Sequence, residues 1–149
     1  MISNMKKCYL DSNFLVYLKN EDSPFFPQAK EELKKLVSDK TMLFISPLVI
    51  DEFLHAFCRG VINKESKDFY ENLSKLCADI LQLPLLAIIN PPTDSVSQLR
   101  VVSIMKNYSL RPRDAYHLLT MQSNDIDAFA TFDTDFRRVF SAKIIKKVL

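Results

Sequence analysis

Acidic residues occur at separated places in the chain where local patterns put a side chain at a helix start, on a helix border or just beyond a strand. Asp11 and Asp133 each follow a short apolar run, Glu52 lies within an apolar helical pattern, and Asp114 falls in the first turn of another helix. Carboxylates gathered in one cleft raise each other's pKa unless a cation compensates their charge. These four side chains are therefore candidate ligands of a divalent metal ion.

The type of donor indicates which metal and which chemistry to expect. Oxygen ligands, without a cysteine motif or an evident histidine pair, favour Mg²⁺ or Mn²⁺ over zinc. Such an ion lowers the pKa of a water molecule and holds a phosphate, and many nucleases use two ions about 4 Å apart. The carboxylates thus favour metal-dependent hydrolysis of a phosphodiester, with one of them accepting a proton from the water.

Further residues near these carboxylates are candidates for supporting roles. Asp135 completes the ligand set directly or through a water, and Asn13 and Thr131 have the chemistry to orient ligands. Arg111 and Arg113 are candidates to hold flanking phosphates, with helix capping and surface ion pairs as equal alternatives. Two single positions also have alternative interpretations. Asp11 is equally a helix cap, and a lone histidine at a helix border, His55, is more often a surface or satisfied core residue.

The bulk composition describes one ordinary globular domain spanning residues 1–149. Hydrophobic residues make up 48% and charged residues 26% of the chain, and the net charge of +2 neither demands nor excludes a nucleic-acid partner. No apolar run reaches the roughly 20 residues of a membrane span, and no signal peptide is evident, so we expect a cytoplasmic protein. Three cysteines without CxxC spacing are typical of a reducing compartment. The single glycine excludes glycine-rich nucleotide-binding loops.

Short apolar runs alternate with amphipathic segments along the whole chain. The runs predict strands at residues 7–10, 42–45, 85–89, 127–131 and 143–148, the last of them at a sheet edge because of its lysines. Helices are predicted between them, including residues 64–82, 94–107 and 113–123, with Val96, Leu99 and Val102 facing the core. This alternation predicts an α/β fold with a mainly parallel sheet covered on both faces, and ligands beyond the carboxyl ends of its strands, where strand order reverses.

Four segments together resemble the PIN domain, specifically the small VapC-like toxin ribonucleases. They are YLDSNFLVYL, ISPLVIDEFLHAF, RPRDAYHLLTMQ and DAFATFDTDF, and their order and spacing cover nearly the whole chain. By position, the acidic residues of the family fall on Asp11, Glu52, Asp114 and Asp133, with Asp135 a frequent further member. The resemblance implies a three-layer α/β/α sandwich with a four- to five-stranded sheet, Mg²⁺ or Mn²⁺ dependence, an RNA substrate, a homodimer and a small antitoxin that covers the active site.

The match to the family departs from its pattern in two places. Ser12 stands where threonine is commoner, which keeps the hydroxyl, and residues 64–89 carry no diagnostic motif. Two other functions stay open as alternatives. One is a catalytically silent PIN-like module that binds RNA or protein. The other is a phosphatase with Asp11 as nucleophile, which Asn13 disfavours because such enzymes commonly carry an acid at that position.

Overall fold

A computed structural model describes residues 5–59 and 67–149 and contains one five-stranded sheet. All neighbouring strands pair in parallel, in the order β3-β2-β1-β4-β5. The predicted α/β class with a parallel sheet is therefore confirmed. The strands are β1 (Lys7–Leu10), β2 (Met42–Ile45), β3 (Leu86–Ile88), β4 (Ala128–Ala130) and β5 (Lys146–Val148).

The burial of the strands explains why they appear in the sequence as continuous apolar runs. In β1, Cys8, Tyr9 and Leu10 are all fully buried, as expected for a central parallel strand covered on both faces. β5 lies at the sheet edge, as predicted, and it exposes its two lysines to solvent. This strand is shorter than predicted, because only Lys146–Val148 pairs with β4.

Helices cover both faces of the sheet. The face on which a helix lies depends on whether its connection runs towards β3 or towards β5 along the sheet. Crossovers between parallel strands are right-handed in nearly all proteins, so the connections from β1 through β2 to β3 are expected on one face and the return to β4 on the other. The packing agrees, since α1 contacts α2 and α3, α3 contacts α4, and α5 packs on α6. The predicted three-layer sandwich is thus confirmed. The helices are α1 (Ser12–Leu18), α2 (Phe26–Ser38), α3 (Pro47–Cys58), α4 (Lys67–Leu81), α5 (Ser95–Tyr108), α6 (Pro112–Ser123) and α7 (Arg137–Ser141).

Local signals explain where helix α3 begins. Ser46 is the N-cap residue, and its hydroxyl accepts a hydrogen bond from the Val49 backbone N–H. Pro47 follows at the first helical position, where its missing N–H and fixed φ are favourable. At the other end Arg59 is the C-cap residue, and Gly60, which we expected to end the helix with Arg59, lies outside the described residues.

The orientation predicted for α5 is wrong. Val96, Leu99 and Val102 do not face the core; they are 72%, 70% and 64% exposed. Val101 and Ile104 are buried instead. The residues of the buried stripe follow the i, i+3, i+4, i+7 spacing that keeps side chains on one face of a helix. The predicted residues are three apart throughout, and that spacing moves gradually around the helix. The stripe is Val101, Ile104, Met105 and Tyr108.

Helix α4 is the least buried of the long helices in the described chain. The predicted helix at 64–82 corresponds to Lys67–Leu81, and residues 64–66 lie outside the described residues. Only Ile80 is fully buried, while Phe69 and Leu73 are half-buried and Tyr70 is exposed. Within the two described ranges, no helix has the length and apolar character needed to cross a bilayer.

Candidate metal centre

The candidate centre lies at the carboxyl ends of β1 and β4, the neighbouring strands between which strand order reverses. The backbone N–H of Asp11 donates to the Ala130 carbonyl oxygen across 3.0 Å, which fixes the end of β1 beside the end of β4. The segments that follow these strands therefore start at the same edge of the sheet. This is the edge at which doubly wound α/β proteins bind ligands, and at which we expected this site.

Asp11 is buried at this edge, and both of its carboxylate oxygens accept hydrogen bonds. Oδ1 accepts from the Ser12 backbone N–H at 2.8 Å, so Asp11 is the N-cap of α1. Oδ2 accepts from the Thr131 hydroxyl at 2.6 Å. Burial raises the pKa of Asp11, and His117 and the Thr131 hydrogen bond oppose that rise. The capping interpretation is confirmed, and it leaves lone pairs on both oxygens for a cation.

The loop after β4 is held in place by side-chain hydrogen bonds. The Thr131 hydroxyl oxygen accepts from the Asp133 backbone N–H at 3.0 Å and from the Asn13 side-chain amide at 3.4 Å. The Asn13 amide oxygen in turn accepts from the Phe132 N–H at 3.1 Å, and Asp133 Oδ1 accepts from the Asp135 N–H at 2.9 Å. Asn13 and Thr131 therefore contact Asp11 and the Asp133 loop directly, which is the position that an orienting role requires.

Asp114 approaches the centre from the first turn of α6 and is half-buried. Its pKa is raised to about 6, first by burial and then by the negative charge of Asp133. The charges of Asp11 and Asp135 add to the rise, and His117 opposes it. Carboxylates from three separate segments are thus close enough to disfavour one another's ionisation.

Glu52 reaches the centre from α3 and is paired with a histidine. Its Oε1 is hydrogen-bonded to Nε2 of His117, a residue of α6 with only 1% of its surface exposed. Asp11, Glu52 and His117 can offer metal-ligating atoms that all lie within 4.8 Å of one another. His117 was not among the site residues predicted from the sequence. The signal was its spacing, since His117 follows Asp114 by one helical turn.

The donor set fits a divalent cation. Asp11 and Glu52 bring carboxylate oxygens to one place, and after burial the negative charge of Asp133 adds to the raised pKa of Asp114, a repulsion that a cation would relieve. The imidazole of His117 lies at the same place and is hydrogen-bonded to Glu52. Asp133 is half-buried and Asp135 is exposed, and both lie near enough to Asp114 to raise its pKa.

Basic residues lie beside the acidic centre. A cavity of about 360 Å³ adjoins Glu52 and is also lined by His55, Arg59 and Arg113. Arg111, the N-cap residue of α6, is exposed and makes no side-chain capping bond. Arg111 therefore takes the cap position that one alternative expected, whereas phosphate binding by Arg111 and Arg113 stays a prediction.

The fold and this site define a doubly wound α/β protein with a carboxylate-lined site at the carboxyl edge of its sheet. The PIN domain profile matches residues 8–140, and the chain belongs to the PIN family. It is 30% identical over 145 residues to ribonuclease VapC2 of Methanocaldococcus jannaschii, covering 94% of this chain and 93% of the relative.

Solved structures share the fold at lower identity. The VapBC2 complex of Rickettsia felis, bound to a promoter DNA fragment, matches with a TM-score of 0.64 at 17% identity, covering 95% of this chain and 97% of the other. VapC20 of Mycobacterium tuberculosis, a sarcin-ricin loop cleaving toxin, matches with a TM-score of 0.61 at 15% identity, covering 89% and 94%.

Proposed function

We propose that the chain is a Mg²⁺- or Mn²⁺-dependent endoribonuclease and the toxin of a toxin–antitoxin pair. The observation that carries this proposal is the convergence of Asp11, Glu52 and Asp114 from three distant segments on one buried edge of the sheet. A protein gains nothing in stability from such a group of carboxylates without a cation. The 30% identity to a relative that is named a ribonuclease supports RNA as the substrate.

In this proposal Asp11, Glu52, Asp114 and Asp133 hold the cation and Asp135 completes the ligand set. When bound, the cation would supply stabilisation of the phosphate's developing charge and lower the pKa of a water. Thr131 fixes one oxygen of Asp11 by donating its hydroxyl hydrogen. Asn13 and the Thr131 oxygen hold the backbone from which Asp133 projects.

The cavity beside Glu52 is the proposed entry for the RNA backbone. Arg59 comes from the end of α3 and Arg113 from the start of α6, and both line this cavity together with Asn13. Guanidinium groups bind phosphates through paired hydrogen bonds and provide affinity without reading sequence. We therefore expect Arg113→Ala and Arg59→Ala to raise KM for RNA far more than they lower kcat, with Arg100→Ala, an exposed arginine on α5, as control.

The test of the activity compares two neighbouring carboxylates on α3. Glu52 lies in the centre, whereas Asp51 is exposed. A circular single-stranded RNA is incubated with the parent, Asp11→Asn, Glu52→Gln and Asp51→Asn in Mg²⁺ or Mn²⁺. Because the substrate has no ends, its linearisation reports endonucleolytic cleavage. We expect cleavage by the parent and Asp51→Asn and its loss in the other two. A parent that binds this RNA with every metal and never cuts it would instead support a silent binding module.

We also propose a small antitoxin and a second copy of this chain as partners, and residues 1–149 as one domain. The solved complex VapBC2 supports the first, and one continuous buried core through the described residues supports the last. The exposed stripe of Val96, Leu99 and Val102 on α5 supports the homodimer, because isolated proteins rarely expose aligned apolar residues. The three free cysteines favour the cytoplasm as its compartment.

A further inference from the structure

A line of buried polar side chains runs from the start of α3 through β1 to the acidic centre. The Ser46 hydroxyl and the Tyr9 hydroxyl are 2.7 Å apart, and the Tyr9 hydroxyl is 2.8 Å from Nδ1 of His117. Nε2 of His117 is hydrogen-bonded to Oε1 of Glu52. Ser46, Tyr9 and His117 are each at most 1% exposed. These groups are shielded from solvent, so their hydrogen bonds must be satisfied within the protein.

The end of this line at Glu52 decides which nitrogen of His117 carries a proton. A carboxylate accepts hydrogen bonds, so Nε2 of His117 donates to Glu52. At the other end the Val49 backbone N–H donates to Ser46 Oγ at 3.4 Å, which leaves the Ser46 hydrogen free to donate to Tyr9. With Tyr9 donating to Nδ1 of His117, a single chain of donors from Ser46 to Glu52 satisfies every group.

The reverse assignment leaves a group unsatisfied. With the proton on Nδ1 alone, Nε2 would face the carboxylate of Glu52 as a second acceptor. No buried side-chain nitrogen or oxygen in the described residues is without a partner. Burial also raises the pKa of Tyr9, which keeps its hydroxyl hydrogen in place.

We propose that His117 is a positioning residue, held in place by Tyr9 and Ser46, whose Nε2–H fixes the carboxylate of Glu52 in the metal centre. Both ring nitrogens are used in these hydrogen bonds, so His117 acts through Glu52 and is not itself a ligand. The metal role of Glu52 rests on the proposed function. Partners that orient a ligand typically contribute about 10–100-fold to metal affinity.

The first test reads the tautomer in the metal-free protein, independently of metal binding and RNA cleavage. The chain has two histidines, so the variant His55→Gln leaves His117 as the only imidazole. Long-range ¹H–¹⁵N correlation NMR of the labelled variant separates the two neutral tautomers and the imidazolium. We expect a proton on Nε2, and we expect it to persist when Mg²⁺ is added. An Nε2 that carries no proton would overturn the proposal.

The second test removes one hydroxyl from the line and measures the metal site. Tyr9→Phe keeps the buried ring and deletes the donor to His117, while Tyr116→Phe deletes a hydroxyl on α6 that donates to Gln98 outside the centre. By calorimetry with Mn²⁺ alone, we expect the dissociation constant of Tyr9→Phe to rise about 10–100-fold and that of Tyr116→Phe to match the parent. Thermal unfolding without metal verifies that both variants are folded.

The outcomes separate this proposal from the proposed function. Mn²⁺ binding by Tyr9→Phe equal to that of the parent would overturn the positioning role. If the parent itself binds no Mn²⁺, the proposed function fails, and the proton on Nε2 still decides whether His117 donates to Glu52. A double variant Tyr9→Phe, Glu52→Gln sharpens the result, since it should bind Mn²⁺ no more weakly than Glu52→Gln alone.

Discussion

Helices α5 and α6 pack on each other, and they differ in which side chains they bury. α6 buries polar groups, including His117 and Thr120, whereas α5 exposes Val96, Leu99 and Val102. A buried polar group is unfavourable unless it is hydrogen-bonded, and an exposed apolar stripe is unusual in an isolated protein. The buried face of α6 is therefore the one on which we expect the active site. The exposed face of α5 is the one on which we expect another protein to bind.

The hydrogen bonds of α6 agree with this contrast. His117 has partners on both ring nitrogens, and the Thr120 hydroxyl donates to the Tyr116 carbonyl oxygen at 2.8 Å. Asp114, at the start of the helix, is the polar group whose ionisation the fold disfavours, with a pKa of about 6. A carboxyl group whose pKa is shifted by its surroundings, beside polar groups whose hydrogen bonds are satisfied, is a marker of a functional site.

The largest expected effect is the difference in kcat between a substitution on α6 and a control substitution on α5. We expect Asp114→Asn to lower kcat for RNA cleavage by about 10²–10⁴-fold, since it removes a proposed ligand of the cation. Val102→Ser on α5 should leave kcat within about twofold of the parent. Single-turnover cleavage of the circular RNA measures both. Asp114→Asn activity close to that of the parent would remove α6 from the active site.

The next effect is on stability. His117→Ala removes one of the two partners of the buried Tyr9 hydroxyl and the partner of Glu52, and it opens a cavity. We expect the free energy of unfolding to fall by about 2–4 kcal/mol. Ser103→Ala, at an exposed position of α5, should change it by less than about 0.5 kcal/mol. Urea denaturation at one protein concentration compares them, and equal stability of the two variants would contradict the contrast between the helices.

The exposed stripe of α5 makes a prediction about oligomeric state. If a second copy covers Val96, Leu99 and Val102, a charge in the stripe must be buried or the dimer must dissociate. We expect the parent to be a dimer in light scattering at micromolar concentration and Leu99→Glu to be a monomer with an unchanged far-ultraviolet circular dichroism spectrum. A parent that is monomeric at all concentrations would leave the stripe to a different partner.

The smallest expected effect concerns pH and the metal-free protein. The pKa of Asp114 is about 6 when folded, above its ordinary value, so the folded state keeps a proton that the unfolded chain loses. Stability therefore falls as pH rises from roughly 4 to 6 and stays lower above that range. We expect Asp114→Asn to melt roughly 1–3 °C higher than the parent at pH 7.5 without metal, and with a smaller difference at pH 4. Equal melting temperatures at pH 7.5 would show that the fold does not disfavour the ionisation of Asp114.

Much of the fold could be predicted because its signals are local. Short apolar runs stopped by polar residues indicated β1 and β2, and Ser46 with Pro47 indicated the start of α3. The placement of Asp11 and Asp133 at the same edge of the sheet also followed from topology, since parallel strands end at a common edge. These inferences need only the neighbouring sequence and the rules of parallel sheets.

The rest depends on packing between distant segments. Nothing near His117 in sequence indicates that Tyr9, from β1, would bind one ring nitrogen and Glu52, from α3, the other. The rotation of α5 was mispredicted because apolar residues surround this helix, so its periodicity does not select one face. The cavity that joins Arg59 and Arg113 needed both ends of two helices to be placed in space.

The most direct test of the central claim is thermal unfolding with and without millimolar Mn²⁺, on the parent, Asp114→Asn and the exposed control Asp51→Asn. Binding to the folded state alone stabilises by about 2.7 kcal/mol at one hundred times the dissociation constant, roughly 5–10 °C for a chain of this size. We predict this rise in the parent and in Asp51→Asn, and a much smaller rise in Asp114→Asn. An equal rise in all three, or none in the parent, would contradict a metal centre built on these carboxylates.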